Sequence, residues 1–218
     1  MSRNKPLHVL QVGANDGIMY DPIDKLLLKH ANISATRIEP ISEYFFELQE
    51  NCRRYASQVE LFNICITEAD GPIDMYFPDP NRSGQGGDKG HGSLRPEAVG
   101  RSREGWVTRT VSGKSFQSLM KEMRSPRADV YVSDCEGYDI QLLQNLPIEE
   151  LGIKVIYIEL LHQTMSWGHV AEGLRQVVEI VASHGFNRIL WDGSDFLSWR
   201  APHHSTSQYP EVEGFTRS

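Results

Sequence analysis

"FNRILWDGSDFLSWR", residues 186–200, holds two short apolar runs joined by Asp192 and Gly193. An Asp-Gly pair between strand-forming runs is a strong hairpin signal, because glycine adopts the positive φ that a tight turn needs. The stretch therefore predicts two antiparallel strands at the end of the domain. The segments before it alternate between strands and helices. "VAEGLRQVVEIVASHG" (170–185) is an amphipathic helix with Val170, Leu174, Val177, Val178 and Val181 on one face and Gly185 to end it. "IKVIYIEL" (153–160) and "ADVYVSDCEG" (128–137) read as strands, and "KSFQSLMKEM" (114–123) as a short helix.

The N-terminal half follows the same alternation. "LHVLQV" (7–12) is a buried strand that runs into a glycine turn. "YDPIDKLLLKH" (20–30) starts a helix, with Asp21 as cap, Pro22 in the first turn and Ile23, Leu26 and Leu27 on one face. "SATRIEP" (34–40) is a short strand ended by Pro40. "SEYFFELQENCRRYA" (42–56) is a helix capped by Ser42 with Phe45, Leu48, Cys52 and Tyr55 in a stripe. "VELFNICIT" (59–67) reads as a third strand buried on both faces, and "DGPIDMYFP" (70–78) as a turn and a short extra strand. From Pro78 to about Gly105 the pattern gives way to Gly, Pro and polar residues, the composition of a long functional or unstructured loop. "WVTRTV" (106–111) resumes extended structure. Strands alternating with helices imply a parallel sheet covered on both faces. Dinucleotide-binding folds end in a sixth parallel strand. The closing hairpin instead favours an α/β, doubly wound, methyltransferase-like sheet, mostly parallel with one antiparallel strand near its C-terminus. Residues 1–200 then form one domain with a loop insertion at about 78–105, and 201–218 a polar, loosely held tail.

Bulk properties remove several classes. The 218 residues carry a formal charge of −7, with 39% hydrophobic and 23% charged residues. Such a balance suits a soluble globular domain and argues against a nucleic-acid partner, which calls for clustered cations. "RSREGWVTR" (101–109), the densest basic patch, reads as a solvated loop. No apolar run is long enough to span a bilayer, and the N-terminus has no apolar signal segment. Cys52, Cys65 and Cys135 are odd in number and form no CxxC pair, so reduced thiols in a cytoplasmic protein are expected.

Ligands of open α/β sheets bind beyond the carboxyl ends of the strands. Polar residues collect there: Gly13–Gly17, Glu39, Asn63, Asp134, Glu136, Glu159 and His162. Several interrupt apolar runs, where a carboxylate without a partner costs several kcal/mol. The turn G-A-N-D-G lacks the middle glycine of a G-x-G-x-x-G fingerprint, since Asn15 stands there, and the helix begins late. That disfavours a pyrophosphate and suits a cofactor with an amino-acid end: Asp16 accepts from its ammonium, and backbone N–H groups bind its carboxylate. A plain strand-to-loop turn with positive φ is the alternative. Glu39 lies about 20 residues past the turn, where nucleoside-binding folds put an acid on the ribose hydroxyls; its alternative is a salt bridge with Arg37. Turn and acid together point to S-adenosylmethionine, a nucleoside with an amino acid and no phosphate.

In "VSDCEGYD" (132–139), alternation sends Asp134 and Glu136 to one side and Cys135 to the other. These acids, with Glu159, suit orienting a hydroxyl, accepting its proton or holding a divalent cation. Acids enriched at a helix N-terminus would explain Asp139 better than Asp134. His162 lies near three carboxylates and is a candidate base. His91 and His169 are weaker candidates, and His203 and His204 lie in the tail.

These motifs together resemble the FkbM family of S-adenosylmethionine-dependent methyltransferases. The matching pieces are "VGANDG" (12–17), "IEP" (38–40) before a helix carrying Asn51, "FNICIT" (62–67) followed by "DG", "GSL" (92–94), "SDCEGYD" (133–139), "YIEL" (157–160) and "HGF" (184–186), in family order from about Leu7 to Leu197. "SDCEGYD" is the most specific. The long loop and the tail after Arg200 depart from the pattern. The resemblance implies a class I methyltransferase fold and methyl transfer to a hydroxyl of a sugar, polysaccharide or secondary metabolite. It assigns cofactor binding to Gly13, Asn15, Asp16, Gly17 and Glu39, with Asn63 near the adenine, and the acceptor side to Asp134, Glu136 and Glu159. Asp134, Glu136 and His162 are the expected catalytic set. Glu159, His91 and Ser93 would meet a small-molecule or carbohydrate acceptor under the long loop. A divalent cation on Asp134, Glu136 and Glu159 stays open, as do two other functions: a nicotinamide-dependent oxidoreductase and a methyltransferase-fold binding protein without catalysis.

Overall fold

The computed structural model of the chain describes residues 5–19, 21–79, 92–94, 105–160, 167–201 and 211–214. The hairpin forms where the sequence puts it. β9 (Arg188–Trp191) and β10 (Asp195–Trp199) pair antiparallel, and the turn is closed by Asp192 Oδ1, which accepts from the amides of Ser194 (3.0 Å) and Asp195 (2.9 Å). Gly193 has φ 102°.

β10 also pairs antiparallel with β8 (Val155–Glu159), so it is wedged between two strands that run opposite to it. The remaining pairs are parallel: β8 with β7 (Val130–Ser133), β7 with β1 (Leu7–Val12), β1 with β2 (Ile33–Ile38), and β2 with β3 (Val59–Phe62). A last strand, β11 (Glu211–Gly214), lies parallel to β9 and completes the order β11-β9-β10-β8-β7-β1-β2-β3. The tail, expected to be loose, thus contributes an edge strand. Its backbone pairing needs no apolar sequence, which is why "EVEG" gives no strand signal.

Strand alternation sorts the core into two faces. Leu10, Val12, Ile38, Tyr131, Ile156 and Ile158 pack on one side, under α3 (Phe116–Glu122), α4 (Asp139–Asn145), α5 (Ile148–Leu151) and α6 (Trp167–Ser183). Val9, Ala35, Val59 and Val132 pack on the other, under α1 (Asp24–Lys29) and α2 (Ser42–Cys52). On α6 the apolar stripe behaves as expected: Val170, Val177 and Val181 are buried, and Leu174 and Val178 are partly so. The helix ends at Gly185, φ 77°, with Phe186 N–H returning to the Val181 carbonyl at 3.0 Å.

Four local expectations change. On α1, Ile23 and Leu27 are buried but Leu26 is 41% exposed, because the regular helix starts only at Asp24 and its inward face is narrow. Asp21 still caps it: Oδ1 accepts from the amides of Ile23 (2.6 Å) and Asp24 (3.0 Å). On α2, Ser42 does not cap; its hydroxyl donates to Asn63 Oδ1 at 3.1 Å, and Tyr44 fills the core beside Leu48 and Cys52. The third "strand" is two. It breaks at Asn63 and Ile64: β3 stays at the sheet edge, not buried on both faces, and β4 (Cys65–Ile66) joins a second sheet. That sheet has the order β4-β6-β5 and is built on a long hairpin of β5 (Gly71–Pro78) and β6 (Trp106–Lys114), whose eight paired positions run from Gly71↔Gly113 to Pro78↔Trp106. Ile41 and Tyr44 of the main body pack against Met75 and Phe77 of the hairpin.

Candidate active site

A cavity of about 460 Å³ opens at the carboxyl ends of the central strands. Its floor is the end of β1 and the glycine turn; its walls come from the ends of β2, β7 and β8, from β4, and from Met75, Gly92 and Leu94 beside the hairpin.

The glycine turn is a left-handed path, with φ 80° at Gly13, 48° at Asn15 and 75° at Gly17. A Cβ on Gly13 would stand 2.1 Å from the Asp134 carbonyl oxygen, so the first and fourth parallel strands meet backbone to backbone. The turn's amides point inward. Gly13 and Ala14 N–H donate to the Ile38 carbonyl (3.0 and 2.9 Å), Gly17 N–H to the Ala14 carbonyl (2.9 Å), and Asn15 N–H to Glu39 Oε2 (2.8 Å). Three of these amides hold the turn to Ile38 and Glu39 and the fourth closes it on itself, so they are not the free donors for a ligand carboxylate that the sequence suggests.

Glu39 is the hinge of this arrangement. It is 4% exposed, lines the cavity, and accepts from Asn15 N–H through one oxygen and from Ile41 N–H (2.8 Å) through the other. Burial pushes its carboxyl up to about 7, against the pull of those two hydrogen bonds, and the nearby Asp16 raises it further. Arg37 is not its partner. That guanidinium is fully buried on the α1/α2 side and pairs with Asp21.

Two expected cofactor residues are not among the described residues that line the cavity. Asp16 Oδ1 accepts from the amides of Ile18 (2.9 Å) and Met19 (2.8 Å), stitching its own loop, and Asp16 is not among the described cavity-lining residues. Asn63 donates to the carbonyls of Glu39 (2.8 Å) and Pro40 (3.1 Å), so it fixes the turn behind Glu39 instead of lining the cavity. Asn15 does face it, and its Oδ1 is buried without a hydrogen-bond partner.

Across the cavity, β7 stops at Ser133, so Asp134 and Glu136 are not alternating strand positions as expected. The chain turns at Glu136 (φ 51°) and Gly137 (φ 88°), and this turn brings both acids to the cavity wall. Asp139 braces it from behind: Ser133 Oγ donates to Oδ1 at 2.5 Å and Cys135 N–H to Oδ2 at 3.1 Å. Asp139 is 1% exposed, and burial pushes its carboxyl up to about 7. At the end of β8, Glu159 is pushed up to about 9 by burial and by Asp134, to which it is hydrogen-bonded. Glu159 therefore holds its proton at neutral pH, in a hydrogen bond with Asp134. Asp195 stands opposite Glu159 in the register and is hydrogen-bonded to the Tyr157 hydroxyl, which it helps to keep protonated. Among the described residues, no group of three or more His, Cys, Asp or Glu converges in a way that could hold a metal ion, so the cation considered for Asp134, Glu136 and Glu159 has no ligand set there.

Ser93 is buried and pairs its main chain with Tyr76 (2.9 and 2.8 Å), while its neighbours Gly92 and Leu94 line the cavity. His91 and His162 lie outside the described residues. The sequence reading missed Gln11, Asp21, Tyr157 and Asp195, all in the cavity wall. Gln11 had a signal, being a polar residue inside an apolar strand; Asp21 was masked by its service as a helix cap.

Parallel strands in the order β3-β2-β1-β7-β8, closed by an antiparallel β10 between β8 and β9, and a cavity at their carboxyl ends define a class I methyltransferase fold. The model of the FkbM methyltransferase domain matches residues 11–187, and the chain belongs to that family. It is a methyltransferase, which sets aside the oxidoreductase and non-catalytic alternatives. Solved structures similar to it include a Methanococcus jannaschii fibrillarin pre-rRNA processing protein (14% identity, 91% of this chain and 69% of that one, TM-score 0.47). Others are a precorrin-6y C5,15-methyltransferase from Geobacter metallireducens (11%, 92% and 83%, 0.47) and a SAM-dependent methyltransferase from Aquifex aeolicus (11%, 89% and 81%, 0.44). Comparison with curated proteins finds no match. No described helix is long and apolar enough to cross a membrane.

Proposed function

We propose that this methyltransferase uses S-adenosylmethionine and methylates a hydroxyl oxygen of a small-molecule or carbohydrate acceptor. Glu39 is the observation that carries the reading. A carboxyl buried at the cavity floor, fixed by two backbone amides and with lone pairs to spare, matches the paired hydroxyls of a ribose. The unpartnered Asn15 Oδ1 beside it supplies an acceptor for a further donor on the same ligand. Ile64, Cys65 and Ile66 give an apolar wall suited to a flat base. When bound, the cofactor supplies a methyl carbon already activated by its sulfonium.

The protein's remaining work is to hold the acceptor oxygen about 3 Å from that carbon and to take its proton. Asp134, Glu136 and Glu159 edge the cavity on the side away from Glu39's turn. Asp134 and Glu136 are the acids placed to orient the hydroxyl and accept its proton, with Glu159 hydrogen-bonded to Asp134. His162 is the second candidate for that step. Calorimetric titration tests the cofactor: S-adenosylmethionine should bind the wild type, and Glu39→Ala should weaken it roughly tenfold or more. A screen of hydroxylated sugars and secondary metabolites for methyl transfer then tests the acceptor. With a substrate in hand, Glu136→Ala and His162→Ala should lower kcat while leaving cofactor affinity intact. Unchanged affinity in Glu39→Ala would remove the ribose assignment.

A further inference from the structure

The hairpin β5–β6 has a second face that takes no part in the roles above. Its register sorts the side chains. Met75, Phe77, Val107 and Arg109 turn towards the body, so Asp74, Tyr76 and Pro78 of β5 and Trp106, Thr108 and Thr110 of β6 share the opposite face. Thr110 Oγ1 donates to Asp74 Oδ1 at 2.8 Å across that face, in agreement with the sorting. Tyr76 and Trp106 occupy diagonal cross-strand positions, about 7–8 Å apart and within reach of long side chains. Both are partly exposed, and Asp74, Thr108 and Thr110 are exposed beside them. The face therefore grades along the ribbon from apolar, at Pro78 and Trp106, through Tyr76 beside Thr108, to the polar pair of Asp74 and Thr110.

We propose that this face docks a neutral carbohydrate chain, whose further sugar units lie on Tyr76 and Trp106 while one unit is methylated in the cavity. The proposal rests on the carbohydrate side of the acceptor reading and not on the cofactor. The partner's chemistry follows from the groups present. A sugar ring has an apolar C–H face that lies flat on an aromatic ring, and a rim of hydroxyls that donate and accept. Thr108, Thr110 and the second oxygen of Asp74 answer that rim. No Lys or Arg stands among the six positions, so a phosphate or sulfate chain meets no counter-charge on them. Six residues are also far fewer than the roughly 20–30 a side that a stable protein interface takes. The face adjoins the cavity. Met75, the residue before Tyr76, lines the cavity, and the Tyr76 main chain pairs with Ser93, whose neighbours Gly92 and Leu94 line it too. The edge of β5 lies between the two, a short crossing for a chain of several units.

Binding is read without methyl transfer. The probes are neutral di- to hexasaccharides, their component monosaccharides and matched sulfated chains, on an array and then by calorimetry, with and without S-adenosylhomocysteine. At least one neutral oligosaccharide should bind the wild type, and its monosaccharide should bind about tenfold more weakly or less. Trp106→Ala and Tyr76→Ala should each weaken the oligosaccharide about tenfold and leave S-adenosylhomocysteine affinity unchanged, since neither residue is among the described cavity-lining ones. If either variant does not fold, Thr108→Lys, at an exposed position, puts a long charged side chain beside Tyr76 and should weaken the oligosaccharide likewise. An array that answers only with sulfated chains, a monosaccharide as tight as its oligomer, or an oligosaccharide indifferent to all three substitutions overturns the proposal. The readings fail separately. A wild type that binds an oligosaccharide but not S-adenosylhomocysteine overturns the cofactor reading alone. Methyl transfer to a sugar that both aromatic variants leave unchanged removes this face and keeps the acceptor, and an array without any binder removes both.

Discussion

Glu39 combines two demands that oppose each other. As the anchor of the glycine turn it must be buried, and burial favours its neutral form, pushing the carboxyl to about 7. As a ribose acceptor it works best ionised, because hydroxyl donors stabilise the charge. Ligand binding should therefore lower its proton affinity and release a proton near pH 6.5–7. Calorimetry of S-adenosylmethionine in buffers of different ionisation enthalpy reads this release directly. The wild type should release more protons than Glu39→Gln; equal release by both would detach Glu39 from the ligand. Gly13 makes a harder demand on its own position. With φ 80° and an implied Cβ 2.1 Å from a main-chain oxygen, Gly13→Ala is both strained and blocked. We expect a loss of roughly 2–4 kcal/mol in urea unfolding. Gly193, with φ 102° but nothing within 4 Å of its Cβ, should lose only the smaller backbone share, about 1 kcal/mol.

At the scale of elements, the hairpin β5–β6 stands outside the eight-stranded sheet, yet the cavity uses it through Met75. It is held to the body by a small separate core, in which Phe77 is 1% exposed, and by Arg109, which pairs with Glu43 and lies over the Phe77 ring at 5.4 Å. Phe77→Ala should cost about 3–5 kcal/mol and speed amide exchange in Met75 and Tyr76 before the β1–β7 centre is affected. Exchange that quickens uniformly would mean that the hairpin and sheet unfold as one. The two halves of the molecule were unequally legible from sequence for a physical reason. The main strands and the closing hairpin announce themselves locally, through apolar runs ended by Gly13, Pro40, Gly137 or Asp192-Gly193. The hairpin β5–β6 pairs residues far apart in the chain, from Pro78↔Trp106 to Gly71↔Gly113, and such pairing leaves no periodic mark. The break at Asn63 is invisible because both fragments are apolar. At the site, strand-end acids were readable as a set, yet which way each turns was not. Asp16 folds back on its own loop and Asn63 onto carbonyls, while Asp21, read only as a cap, reaches the cavity; direction is decided by which backbone groups lie within reach after folding.

Across the whole molecule, the cavity carries a measurable cost in stability. Glu39 and Asp139 are held up to about 7 and Glu159 up to about 9, each by burial first, while the unfolded chain would titrate all three near their ordinary values. A raised carboxyl binds its proton more tightly in the folded state. Between about pH 4.5 and 7 the folded protein therefore holds more protons than the unfolded chain, and stability falls as pH rises through that window. Each fully buried group contributes a slope of up to about 1.4 kcal/mol per pH unit. Glu159 is partly exposed, so its share is smaller but extends towards pH 9. Exposed acids held below their usual range, such as Asp70 and Glu172, work in the opposite direction only below about pH 4 and are screened by solvent. The ligand-free protein should thus melt highest near pH 5 and lose Tm steadily to pH 8. Glu39→Gln and Asp139→Asn should flatten this decline, because each removes a proton that the folded state has to give up, and saturating S-adenosylmethionine should flatten it through Glu39 alone. A Tm that rises from pH 5 to pH 8 would mean that these acids are ionised and solvated in solution, and the buried, proton-holding site would have to be abandoned.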